Sequence, residues 1–204
     1  MPDYFAAFAL PRHLNVDLPA LEKSFYAQSR KLHPDRFASK PAAEQEAALA
    51  QSSLLNDAYR TLRDPILRTQ HLLALEGVEL EEQSKSATEA ARSAGTEKKQ
   101  LIPPELLEEV FELNMQLMEM KAAKDFGDEA DPDLKRDLEA AAKSFNEKMA
   151  ATQRELDSLW TKWDAAVDTN DEAAKSAAKD SLVTLLNKRS YLRNLVRDVT
   201  AALE

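Results

Sequence analysis

The chain has 204 residues, a formal net charge of −9, three glycines and no cysteine. No disulfide framework, thiolate ligation of zinc or an iron–sulfur cluster, or cysteine nucleophile is therefore possible. Gly77, Gly95 and Gly127 stand too far apart for a phosphate-cradling glycine loop. With 44% hydrophobic and 31% charged residues, rich in Ala, Leu, Glu and Lys, the composition leans towards helix.

Tyr4, Phe5 and Phe8 predict one apolar turn that stops near Leu10 and Pro11. From Leu18, apolar residues recur at three- and four-residue steps through Leu21, Phe25 (with Tyr26), Ser29 and Leu32, the buried face of an amphipathic helix. Pro19 suits its first turn, where a missing N–H costs least. Lys23, Arg30 and Lys31 lie on the other face. Pro34 ends this helix, because a residue before proline, here His33, is pushed out of the α region.

A second long helix is expected from about Pro41, with Glu44 and Glu46 near its positive end. Its apolar positions are Ala47, Leu54, Leu55, Ala58, Tyr59 and Leu62, and Pro65 interrupts it. A further helical stretch from Ile66 to Leu75 ends at Gly77, read as its C-cap. Two antiparallel helices joined by a short loop, plus a leading helix, make a small helical domain over residues 1–77.

Residues 81–100 carry no large apolar side chain and read as linker, so the expected linker spans 78–103. Residues 104–204 predict three more helices. The first starts at Pro103 and Pro104 and runs through Leu106, Leu107, Val110, Phe111, Leu113, Met115, Leu117 and Met118 to about Lys124. Asp131 and Pro132 supply N-cap and first position for the second. Its core row is Leu134, Leu138, Ala141, Phe145, Met149, Leu156, Leu159, Trp163 and Val167. A turn at residues 168–171 leads to the last helix, with Leu182, Leu185, Leu186, Leu192, Leu195, Val196 and Val199. Short connections between three helices imply an antiparallel bundle. The expected fold class is all-α.

Charge follows this division. Residues 1–77 hold nine Lys and Arg against nine Asp and Glu, so the whole −9 falls on residues 78–204. An acidic chain without a basic stripe is a poor nucleic-acid binder, since phosphate neutralisation supplies most of that affinity. No apolar run reaches the roughly 18 residues of a membrane span. The opening residues lack the basic-then-apolar order of a signal peptide, which predicts a cytoplasmic protein.

Chemistry-bearing motifs are few. His13, His33 and His71 are scattered, with no metal-ligand spacing and no nucleophile–base motif, so neither an enzyme nor a cofactor is expected. The tripeptide His33-Pro34-Asp35 stands apart. It occupies the tip between two amphipathic helices, and proline stiffens it, so an imidazole and a carboxylate are presented with little entropy left to lose on binding. Alone, such a tripeptide would be a helix-stop turn with a local cap and a solvated histidine. Its flanks decide otherwise.

Tyr4 and Phe5, the basic helix, His33-Pro34-Asp35, and then residues 56–65 (NDAYRTLRDP) follow in an order and spacing that resemble a J-domain, the module that docks on DnaK-type ATPase chaperones. The opening YFxxFxLP (Tyr4, Phe5, Phe8, Leu10, Pro11), the HPDRF form of the loop, and Asp64-Pro65 continuing through Arg68 to Leu72 and Leu73 resemble the HscB subfamily. So does the expected architecture of a helical-hairpin J-domain joined to a three-helix bundle.

The resemblance implies a co-chaperone of iron–sulfur cluster biogenesis that brings an IscU-like scaffold protein to an HscA-like chaperone and stimulates its ATPase. His33, Pro34 and Asp35 would contact the chaperone, with Lys23, Arg30, Lys31 and Arg36 attracting an acidic surface. The scaffold-binding positions would be Leu107, Phe111, Glu112, Met115 and Glu119 on the first bundle helix and Leu185 on the last. The family often has an acidic residue where Met115 stands. Leu107 and Phe111 can also be core, because Val110, Leu113, Leu117 and Met118 offer a second inward face. A three-helix bundle cannot bury such a helix all round, which favours a partner face. The rival within the superfamily is a J-domain adaptor with a different client. Two features depart from the family: residues 81–100 are longer and more polar than a tight connection needs, and the cysteine-rich zinc module of some eukaryotic relatives is absent, as in a bacterial form.

Overall fold

A computed structural model describes residues 1–78, 103–127 and 131–204. The expected linker at 81–100 lies outside the described residues. Among the described residues every regular element is helical: α1 (Tyr4–Ala7), α2 (Leu18–Lys31), α3 (Ala42–Arg63), α4 (Pro65–Leu75), α5 (Leu107–Phe126), α6 (Pro132–Asp168) and α7 (Glu172–Leu203), with 3-10 turns at Pro34–Arg36 and Pro104–Leu106. None of these helices is long and apolar enough to cross a membrane.

Local chemistry places the helix ends. Asp3 caps α1 by accepting the N–H groups of Phe5 and Ala6. Asp17 caps α2 through Ala20 N–H, and Asp64 caps α4 through Ile66 and Leu67, with Pro65 in the first turn. Glu76 is the C-cap of α4 and Gly77 the residue after it, with φ of 77°. There Val78 N–H reaches Leu73 O at 2.9 Å and Gly77 N–H reaches Ala74 O at 3.1 Å, the paired bonds of a Schellman ending. Ala9 closes α1 in the same way at φ of 52°, with Ala9 N–H on Ala6 O and Leu10 N–H on Phe5 O, both 3.0 Å.

The chain forms two compact units. Of the described residues, one unit joins those within Met1–Leu80 to Ser158–Val183, and the other joins those within Glu81–Asp157 to Thr184–Glu204. Sequence periodicity assigns all of 104–204 to a single bundle, whereas the turn-proximal parts of α6 and α7 group with the N-terminal helices.

In the first unit α3 packs against α1, α2 and α4. Its buried arc is Ala48, Leu55, Ala58 and Leu62. Ala47 and Leu54, expected on that arc, are exposed. Consecutive residues sit about 100° apart on a helix, so Leu54 and Leu55 cannot share one face. Leu18, at the start of α2, is also exposed, and Leu21 carries the burial on that helix.

This unit contains a polar seam between residues far apart in sequence. Asp164 of α6 accepts the N–H of Leu14 at 2.6 Å, the N–H of Asn15 at 2.9 Å and the side-chain amide of Asn15 at 2.8 Å. Beside it the Trp163 indole N–H donates to Arg12 O at 2.8 Å. Trp163, expected in the core row, is buried, and so is Trp160.

The second unit has a three-helix core. Leu106, Val110, Leu113 and Met120 meet Leu134, Leu138 and Phe145 of α6 and Tyr191, Leu192, Leu195 and Val199 of α7. Lys148 pairs with Glu109, and Lys188 with Glu105, each at 3.1 Å.

Candidate functional site

Two surfaces, one in each unit, hold the residues singled out by sequence. In the first unit α2 stops at its C-cap Leu32, and the chain turns through the 3-10 helix Pro34–Arg36 before α3 begins. Arg36 N–H closes that turn on His33 O at 3.0 Å. His33 Nδ1 lies 3.5 Å from Asp35 Oδ2, and the Asp35 N–H points at the same nitrogen at 3.4 Å. Both side chains stay open to water, His33 at 58% and Asp35 at 89%. The turn thus holds imidazole and carboxylate side by side on the surface, in contact with each other but buried by nothing.

Lys23, Arg30 and Lys31 on α2 and Arg36 on the turn are all exposed. The Arg36 guanidinium reaches back to Arg30 O at 3.5 Å, a long and weak contact that keeps this cation beside the end of α2. The arrangement is a positively charged helix face running to a turn that exposes His33 and Asp35. A face of this charge can raise the encounter rate with an acidic surface. Among the described residues no cluster of His, Asp and Glu could hold a metal ion.

The second surface is the outer face of α5. Leu107 is 53% exposed, Phe111 67% and Met115 59%, so these three lie outside the core. Glu112 and Glu119 are exposed beside them and make no ion pair among the described residues. Leu185 on α7 is half-buried and offers less surface.

Met118, grouped by the sequence reading with the inward residues, is 73% exposed. Seven residues are nearly two full turns, so Met118 stands almost directly above Phe111. That spacing was the signal available in the sequence, and it extends the apolar stripe by one further turn. Phe126, at the end of α5, is exposed as well.

Two other features escaped sequence reading. Tyr26 is exposed on α2 between Lys23 and Arg30. Its place directly after Phe25 makes it read as part of the buried face in sequence. Asp164 was not singled out at all, since its partners are about 150 residues away and no local pattern marks them.

No protein-family model matches the sequence. Solved structures do. The chaperone HscB from Vibrio cholerae aligns over 98% of this chain and 96% of its own, at 26% identity with a TM-score of 0.56. Human co-chaperone HscB aligns over 98% of this chain and 82% of its own, at 25% identity with a TM-score of 0.60. In fold and in order of elements the chain therefore matches the HscB co-chaperones, an N-terminal J-domain followed by a C-terminal helical domain.

Proposed function

We propose that this protein is a co-chaperone that binds an IscU-like iron–sulfur scaffold through the outer face of α5 and presents it to an HscA-like, DnaK-type chaperone, whose ATPase it stimulates. The observation that carries the reading is the turn at Pro34–Arg36, which exposes His33 and Asp35 at the end of a cationic helix, in a chain whose fold matches HscB over nearly its whole length.

Coupling, not bond chemistry, does the work. His33, Pro34 and Asp35 engage the chaperone, and Lys23, Arg30, Lys31 and Arg36 attract it. Binding that is tighter to the hydrolysis-competent chaperone state shifts the chaperone towards that state, and only such differential affinity can do so. Leu107, Phe111 and Met115, with Glu112 and Glu119 at the rim and Leu185 nearby, hold the scaffold. Joining two modest contacts in one molecule raises the effective concentration of each partner at the other. A chain without cysteine offers no thiol to a cluster, so its part is to deliver the scaffold.

Steady-state ATPase of an HscA-type chaperone, measured with this protein and an IscU-type scaffold separately and together, tests the reading. Stimulation by the pair should exceed the sum of the two alone; simple additivity argues against coupling. Stimulation without scaffold binding would leave the J-domain role standing and assign the helical domain another client. His33→Gln should retain fold and scaffold binding and lose stimulation.

A further inference from the structure

Tyr26 is 55% exposed on α2, with Lys23 three residues before it and Arg30 four residues after it. Those steps put all three side chains on the outward face, with the aromatic ring between the two cations. The ring is not loose. It leans on Phe25, with centroids 5.5 Å apart and planes tilted by 55°. Phe25 is itself stacked on Tyr59 of α3 at 4.2 Å and 12°, and the Arg63 guanidinium lies 5.5 Å from the Tyr59 centroid. An exposed aromatic is therefore buttressed by an inner aromatic row that is fixed to a second helix.

From this geometry we infer that Tyr26 is the apolar anchor of the chaperone-docking face, an inference that rests on the co-chaperone reading above. Cations at the rim of an interface chiefly set encounter rate and salt dependence. Residence comes from desolvated anchors, among which tryptophan, tyrosine and arginine are enriched. A tyrosine ring held in place before contact loses little rotamer freedom when it is covered. The surface that fits Lys23, Tyr26 and Arg30 carries carboxylates on either side of a shallow apolar patch. Tyr26 thus adds affinity that is insensitive to salt at the centre of a face whose other contacts are screened by it.

The test is the concentration dependence of ATPase stimulation of an HscA-type chaperone by the full-length protein. Tyr26→Ala should raise the half-maximal concentration about tenfold, the loss expected of one hot-spot side chain, and leave maximal stimulation unchanged. Tyr26→Phe should stay within about twofold of wild type, since the ring and not the hydroxyl is the anchor. The Tyr26→Ala factor should persist as salt is raised, whereas the factor for Lys23→Ala should shrink. Tyr26→Gln, an exposed-helix replacement without a ring, repeats the deletion independently of any loss of fold in the alanine variant. The inference is overturned if both ring deletions match wild type, if Tyr26→Phe is as weak as Tyr26→Ala, or if the change falls on maximal stimulation. Absence of stimulation by the wild-type protein would instead overturn the co-chaperone reading itself.

Discussion

His71 Nε2 accepts the backbone N–H of Tyr4 at 3.1 Å, and the two rings stack with centroids 4.3 Å apart. An imidazolium cannot accept that bond, so the fold requires the neutral ring with its proton on Nδ1. Burial holds the His71 pKa below the ordinary histidine value; Asp3 opposes this and Arg12 reinforces it. The unfolded chain therefore binds a proton before the folded one does. Stability should be full above the ordinary histidine range, fall as pH drops through it, and level off below the depressed folded value. Denaturant midpoints measured from about pH 7.5 to pH 5 should show this fall. His71→Gln, which keeps an acceptor and does not titrate, should lose that part of the slope. An unchanged slope would show that His71 is not its source.

Acid should also loosen the neighbouring cap at a lower pH. Burial alone would raise the Asp3 pKa, but the N–H of Ala6, the Arg12 guanidinium and the N–H of Phe5 outweigh it and hold the carboxylate below its usual value. Its stabilisation is present above the ordinary aspartate range and is lost as pH falls through the depressed folded value. Asp3→Asn keeps one acceptor oxygen and should remove this second, more acidic step in the midpoint curve, while the His71 step remains and extends to lower pH because the Asp3 charge no longer opposes the depression.

Asp164 is the carboxylate on which the α1–α2 loop rests, with contacts of 2.6, 2.9 and 2.8 Å to Leu14 and Asn15. Its charge also favours the ionised form of buried Arg68, whose guanidinium donates to Leu62 O. Asp164→Ala strands these donors and leaves Arg68 with less compensation. We expect a loss of about 2–3 kcal/mol, the order of one charge-assisted hydrogen bond after water recovers part of the rest. Asp164→Asn, which retains one acceptor oxygen, should cost less. Equal effects of the two would mean that charge alone matters at this site.

Those contacts also mark where sequence reading stops. Helix ends are legible where their causes are local: Pro34, Pro65 and Pro132 forbid particular hydrogen bonds, and Asp131 accepts an orphan N–H group, whereas the Asp64 cap is shown only by the structure. Periodicity located the α3 core but overcounted it at Leu54, because two adjacent leucines cannot share one arc. It misassigned Met118 for a related reason, since α5 carries apolar residues on two faces and composition does not say which faces outward. The grouping of Ser158–Val183 with the N-terminal helices was not legible. Asp164 and Leu14 interact across about 150 residues, and no windowed pattern reports such a pair. The His33-Pro34-Asp35 motif is the opposite case, short and local, with His33 and Asp35 exposed by its position between two helices.

Ala9 adopts a left-handed backbone with φ of 52° at the end of α1. A Cβ there costs roughly 1–2 kcal/mol, whereas glycine adopts the conformation freely and loses part of the gain to its greater unfolded-state freedom. Ala9→Gly should therefore stabilise the protein by about 0.5–1 kcal/mol, seen as a higher denaturant midpoint with an unchanged slope. A destabilised variant would mean that the Ala9 methyl makes a packing contact outweighing the strain.

Phe111 decides whether the outer face of α5 is a binding surface. Its ring is two-thirds exposed, with Met118 above it and Glu112 beside it. Truncating an exposed ring removes little burial, so Phe111→Ala should shift stability by no more than about 0.5 kcal/mol. A buried aromatic would cost about 3–5 kcal/mol. If the face holds the scaffold, the same variant should weaken binding of an IscU-type protein about tenfold or more, as expected when one interface anchor is lost. Met118→Ala should weaken it as well, because that side chain continues the same stripe. Titration calorimetry gives the affinities and thermal unfolding the stability. A large drop in melting temperature would show that Phe111 holds the bundle together. Unchanged affinity in both variants would move the scaffold site off this helix.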